Sequence, residues 1–196
     1  MSDDERIRCP WVSVATGRPG PDAQLYRSYH DEEWGRPVRD GAGLYERLSL
    51  EAFQSGLSWL VILRKRDNFR RAFDSFDPGM VAHYGEDDVQ RLLSDPGIVR
   101  NRAKVEATIA NARVIDQLGL DVFADLLWSF APPPRPRPVD GADVAATSVE
   151  STAMARELKR RGFRFVGPTT AYALMQAVGM VDDHVRDCWV ESWQPE

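Results

Sequence analysis

Cysteine is scarce in this chain, with two among 196 residues, Cys9 and Cys188, near opposite ends. They can form at most one disulfide, which a reducing cytoplasm disfavours. Histidine is nearly as rare, limited to His30, His83 and His184. No run of about 18 apolar residues occurs, which excludes a membrane-spanning helix. A basic excess is also missing. Lys and Arg number 25 against 30 Asp and Glu, a net charge of −5. That balance argues against a general nucleic-acid coat but leaves room for a local basic face. The opening MSDDERIRCPW is too acidic and polar for a signal peptide, so the expected location is cytoplasmic. Sustained period-two alternation is absent, and a sheet is hard to place.

What remains is helical. At 43% hydrophobic and 28% charged, the chain reads as one folded domain over residues 1–196. Asp40 can cap a helix through Leu44, Leu48 and Ala52, and Trp59, Ile62, Leu63, Phe69 and Phe73 form a second apolar stripe. Asp77-Pro78-Gly79 and Asp95-Pro96-Gly97 read as turns that break the pattern. Between them a short helix covers Glu86 to Leu93. A longer one follows from Asn101 to Leu118, with Gly119 at its end, and another holds Phe123, Leu126 and Leu127. Residues 131–141, APPPRPRPVDG, cannot sustain a helix and predict a stiff surface loop. Beyond it, Ser151 or Thr152 can cap a helix ending at Gly162, and Pro168 can open a last one that ends at Gly179. The expectation is an all-α fold of about eight helices.

His184 and Cys188 are four residues apart and share a face if helical. With Cys9 and His30 they make a Cys₂His₂ set suited to tetrahedral zinc, against the alternative of buried histidines beside inert thiols. Four protein ligands would leave no position for water, so such a zinc is structural. Tying His30 to His184 closes a loop of about 150 residues, worth roughly 4–5 kcal/mol of unfolded-chain entropy. His83 reads as a surface residue.

Residues 157–179 join two helices through a short turn. Backbone N–H groups of Gly167, Thr169 and Thr170 at the second helix start offer a phosphate seat, ringed by Lys159, Arg160, Arg161 and Arg164. Those cations either complement the first helix's dipole or contact a DNA backbone. Arg64, Lys65, Arg66, Arg70 and Arg71 either extend that face or form a solvated helix side. Glu51, in the apolar stretch SLEAF, is either an exposed helix residue or a hydrogen-bond acceptor built into a pocket. Tyr29, Trp34 and Trp59 lie near it in sequence, and such rings around a carboxylate suit a cationic planar ligand.

The stretches RCPWV, YHDEEWG, LEAFQSGLSW, RGFRFVG and DDHVRDC span residues 8 to 188. Together they resemble the type I, constitutive bacterial class of DNA-3-methyladenine glycosylases, within the helix-hairpin-helix superfamily. The resemblance implies the helix-hairpin-helix glycosylase fold, with the termini tied by one structural zinc on Cys9, His30, His184 and Cys188. It implies a base pocket of Glu51, Tyr29, Trp34 and Trp59. The implied reaction is excision of N3-methylated adenine from double-stranded alkylated DNA, releasing free 3-methyladenine, the first step of base excision repair. Leu57, in the GLSW turn, is the expected apolar plug of the emptied duplex position. The wider superfamily places a catalytic aspartate where Asp182 stands, so Asp182 either stabilises the sugar cation or orients His184. Lyase-type relatives carry a lysine where Thr169 stands, so base removal without strand cleavage is expected. A monomer is the default. The competing readings are a non-catalytic zinc-stabilised hairpin module that binds damaged DNA, a glycosylase for another damaged base, and a zinc hydrolase.

Overall fold

The computed structural model describes residues 6–14 and 20–192. Among them are ten α-helices, two short 3₁₀ turns and no strand. In chain order the helices are α1 (Pro10–Val14), α2 (Pro21–Glu32), α3 (Gly41–Gln54), α4 (Trp59–Ala72), α5 (Pro78–Val81), α6 (Glu86–Ser94), α7 (Arg102–Leu118), α8 (Leu120–Trp128), α9 (Val149–Arg160) and α10 (Pro168–Ala177). No helix among the described residues is long and apolar enough to cross a membrane.

The excess over eight helices comes from short or polar segments. α2 is mostly polar and lacks a long apolar stripe. At Asp77-Pro78 the expected break is instead a helix start: the Asp77 carboxylate caps Gly79 and Met80, and Pro78 supplies a pre-set first residue. α9 begins earlier than expected. Ser148, not Ser151 or Thr152, is its cap, because Ser148 and Ser151 exchange hydrogen bonds in a capping box. Other ends follow the sequence. Asp40 accepts from Gly43 N–H at 2.7 Å to start α3, and Asn101 accepts from Lys104 N–H at 3.2 Å to start α7. α9 stops at Arg160, two residues before Gly162. Gly162 N–H then bonds Lys159 O, and Phe163 N–H bonds Leu158 O, a Schellman ending that uses the glycine's φ of +96°.

The core is continuous through α3, α4, α7, α8 and α10. Tyr45, Leu48, Phe53, Phe69, Phe73 and Phe123 are fully buried in it. Between α4 and α5 the backbone makes a left-handed turn, with φ of +47°, +55° and +57° at Asp74, Ser75 and Phe76. It is held by Phe76 N–H to Phe73 O and by Tyr84 O–H to Asp74 Oδ2, both 2.8 Å. The turn brings Phe76 into the core, where its ring stacks on that of Phe73 at 5.4 Å. A smaller cluster of Cys9, Val185, Cys188 and Val190, flanked by Trp11, Trp34 and Trp189, draws the two ends of the described chain together. The proline-rich loop is fastened to this end by arginines: Arg135 bonds Asp183 and Arg137 bonds Asp182.

Candidate functional site

Tyr29 and His30 are consecutive on the last turn of α2. Their side chains diverge by roughly 100° around the helix, so they serve different groups. Tyr29 packs on Trp59, at the start of α4, with ring centroids 5.1 Å apart. Glu51, on the buried side of α3, is 7% exposed. No hydrogen bond joins its side chain to another described residue. Burial therefore pushes its carboxyl up to about 8, with Arg47 pulling only weakly the other way. The field of Glu51 adds to burial in raising the Tyr29 phenol above its ordinary range. The indole Nε1–H of Trp59 is buried with no acceptor. A lone carboxyl and a lone indole N–H in one aromatic neighbourhood are unsatisfied groups that a ligand edge with both a donor and an acceptor would match.

Trp34 sits elsewhere than beside these two rings. Its indole lies 4.6 Å from the His184 ring and 5.3 Å from that of Trp11, while its backbone N–H bonds Tyr29 O at 2.8 Å. Trp11 was passed over in the sequence, although it stands two residues from Cys9. It packs edge-on against Tyr26, His30 and Trp34.

Around His30 the donor atoms of Cys9, His30 and Cys188 lie within 4.8 Å of one another, an arrangement able to hold a metal ion. His184 is not in that trio, but its ring is 5.1 Å from the His30 ring and its Nε2 is buried without a partner. Both histidines are oriented alike. His30 Nδ1 bonds Asp31 at 2.8 Å and His184 Nδ1 bonds Asp182 at 2.9 Å, so each Nδ1 carries the proton and each Nε2 presents its lone pair, that of His184 without a partner and that of His30 facing Cys9 N–H at 3.4 Å and Cys188 Sγ at 3.5 Å. Arg8 and Arg137 in turn hold those two carboxylates. The neighbouring Cys9 thiol lowers Cys188 toward a thiolate, against the opposing effect of burial. The sulfur and imidazole donors, with one orphaned Nε2 beside them, fit a four-coordinate soft metal.

Asp182 takes three hydrogen bonds, from Arg137 Nε and from the backbone and ring of His184. Burial opposes its ionisation, yet these bonds hold the carboxyl well below the usual range. A cleft of about 330 Å³ beside it is lined by Arg39, Trp128, Pro133 and Met180, but not by Glu51, Tyr29 or Trp59. Asp183, also passed over, is buried and accepts from Tyr172, Gln176 and Arg135.

The hairpin runs from α9 through residues 161–167 into α10. Gly167 caps α10 without a side chain, which leaves the first N–H groups of that helix facing outward. Of the four cations, Arg160 and Arg161 both pair with Glu157, while the side chains of Lys159 and Arg164 are exposed with no described hydrogen bond or ion pair. The second basic cluster is consumed internally. Arg64 pairs with Asp22, Arg66 with Glu33, Arg70 with Glu46, and Lys65 and Arg71 bond Pro96 O and Asn68. His83 is exposed, as expected. Leu57, 41% exposed, stands on the turn between α3 and α4.

The chain matches the methyladenine glycosylase family over residues 20–191. It is 43% identical to DNA-3-methyladenine glycosylase 1 of Escherichia coli strain K12, covering 92% of this chain and 95% of that one. Identity to the Haemophilus influenzae DNA-3-methyladenine glycosylase is 40%, covering 92% and 96%. Among solved structures, a crystal structure of 3-methyladenine DNA glycosylase I superposes with a TM-score of 0.85 at 42% identity, over 93% of this chain and 98% of that one. The Staphylococcus aureus enzyme, described for its recognition of 3-methyladenine, superposes with a TM-score of 0.82 at 33% identity, over 92% and 97%.

Proposed function

The chain belongs to the methyladenine glycosylase family, and from this we propose how it excises 3-methyladenine from alkylated DNA. The observation that carries the residue assignment is Glu51, buried beside Tyr29 and Trp59 with no hydrogen-bond partner of its own. An N3-methylated adenine in DNA is a cationic planar ring with an exocyclic amine. Glu51 accepts from that amine and opposes the ring's charge, and Tyr29 and Trp59 enclose its faces. Trp34 supports the wall from the side of the metal donors.

The base must first leave the stack. The outward N–H groups of Gly167, Thr169 and Thr170 seat a backbone phosphate, Lys159 and Arg164 add charge, and Arg160 and Arg161 contribute less because Glu157 holds them. Leu57 fills the vacated position. In the chemical step the N-glycosidic bond breaks and its electron pair goes to the base, which departs neutral without needing a proton. Water adds to the resulting sugar cation and releases a proton to solvent. With Thr169 in place of a lysine there is no amine to attack the sugar, so the strand stays intact. Asp182 orients His184 and does not face the sugar, a role supported by its three hydrogen bonds to Arg137 and His184.

Cys9, His30, His184 and Cys188 would hold one zinc ion, which supplies a cross-link and no open coordination position. The reading takes the enzyme as a cytoplasmic monomer acting on duplex DNA. Its test is release of free base from methylated duplex, with N7-methylguanine and uracil substrates as comparison. We expect 3-methyladenine release, and Glu51→Ala to lose on the order of a hundredfold in rate while DNA affinity changes far less. Unchanged excision by Glu51→Ala overturns the pocket assignment.

A further inference from the structure

The two elements assigned to DNA lie far apart in sequence, and one helix touches both. Lys104, in the first turn of α7, is a lysine only 6% exposed. Its Nζ donates to Phe53 O at 2.8 Å and to Ser55 O at 2.5 Å, the carbonyls at the C-terminal end of α3. A helix end leaves such carbonyls without partners, and a cation there also complements the dipole. Residues 55–58 are all exposed, and Gly56, at φ +81°, has nothing within 4 Å of its Cβ position. Among the described residues, Lys104 supplies the one hydrogen bond to this turn from outside the flanking helices α3 and α4. Burying an ammonium is expensive, and burial lowers its pKa. An apolar residue would fill the space at less cost but would not fix the two carbonyls.

Seven residues on, Asn111 is buried and uses both ends of its amide on one residue of the hairpin. Its Oδ1 accepts from Arg164 N–H at 2.7 Å and its Nδ2 donates to Arg164 O at 3.1 Å. Seven residues are about two helical turns, so Lys104 and Asn111 share a face of α7 with about 10 Å of rigid rise between them. α7 is further fixed to α3 by Tyr45 O–H donating to Thr108 O at 2.9 Å.

We propose that α7 is a strut that sets the distance between the Leu57 turn and the hairpin, with Lys104 and Asn111 as positioning residues for base extrusion. This rests on the reading above in which Leu57 enters the duplex while the hairpin holds its backbone. A wedge extrudes a base only if the phosphate grip is fixed relative to it, and small misplacements are costly. Lys104 acts through Leu57, and Asn111 acts through the hairpin amides.

The experiment is a double-mutant cycle on single-turnover excision from methylated duplex, with Lys104→Met, Leu57→Ala and both together. Lys104→Met is expected to slow excision by about tenfold or more, yet to add less than about twofold in the Leu57→Ala background. Free 3-methyladenine, which needs no extrusion, should quench tryptophan fluorescence with unchanged affinity in Lys104→Met. Asn111→Leu should weaken duplex binding by about tenfold without altering free-base affinity. Equal losses in the two Leu57 backgrounds, or wild-type excision by Lys104→Met, overturn the strut. Lys104→Gln, which keeps a donor without the charge, replaces the methionine variant if that one does not fold, and is expected to recover part of the rate. Amide exchange of residues 55–58 gives a substrate-free readout. Lys104→Met should speed it, and unchanged exchange overturns the strut. A wild-type protein that releases no 3-methyladenine overturns the functional reading instead, and the exchange result still decides the strut.

Discussion

A largely buried carboxyl group without a donor favours keeping its proton. Glu51 is in that position, and its pKa near 8 means that the free protein holds it mostly neutral at neutral pH. A cationic base entering the niche favours the ionised form. We therefore expect kcat/KM for base release to climb with pH until about 8 and then level, and Glu51→Gln to lack that limb. The same shift acts on folding. Between the ordinary value of 4.5 and about 8 the native state keeps a proton that the unfolded chain gives up, so stability falls as pH rises through that window. The loss is on the order of a few kcal/mol. Thermal melts at about pH 5 and about pH 8 should diverge for the wild type and converge for Glu51→Gln. Sequence pattern left Glu51 open between an exposed helix position and a pocket acceptor, because burial depends on which helices cover α3. Lys104 and Asn111 were invisible for the same reason: in a list of residues, a helical lysine or asparagine reads as solvated.

At the scale of elements, the hairpin's four cations are unequal. Lys159→Ala and Arg164→Ala should each reduce the slope of log affinity for duplex against log salt by about 1. Arg160→Ala should change it less, because that guanidinium already neutralises Glu157. Binding titrations across a salt series check this. The left-handed turn at residues 74–76 offers a stability test. An ordinary side chain in that backbone region costs about 1–2 kcal/mol. Ser75→Gly removes this strain but adds unfolded-state freedom, so a net gain of about 0.5–1 kcal/mol is expected in denaturant unfolding. Nothing local in Asp-Ser-Phe announces positive φ, since the conformation is imposed by burying Phe76. Caps are different. Asp40, Asn101 and Pro168 act on backbone groups within three residues, so those helix starts were readable, whereas Ser148 was missed in a stretch where several hydroxyls compete.

Over the whole molecule, the soft donors join segments more than 150 residues apart, as in the hydrogen bond between Cys188 Sγ and His30 Nε2. Metal analysis of the purified protein is expected to find one zinc per chain. Cys188→Ser or strong chelation should lower the unfolding free energy by at least the loop-closure contribution, about 4–5 kcal/mol, read as a drop in Tm. A zinc hydrolase would instead lose turnover with its melting point unchanged. The donors could be picked out from their rarity in the composition. Asp31, which turns the His30 imidazole, could not, among so many acidic residues, and Asp182 came into view only through the family resemblance.

Tyr29 and His30 occupy one turn of α2, one against Trp59 and the other against Cys188. On the proposed assignment a single rigid turn serves two binding events at once. Thermodynamic reciprocity then makes any coupling mutual: if a metal on His30 strengthens the hold on the base, the lodged base tightens the hold on the metal to the same degree.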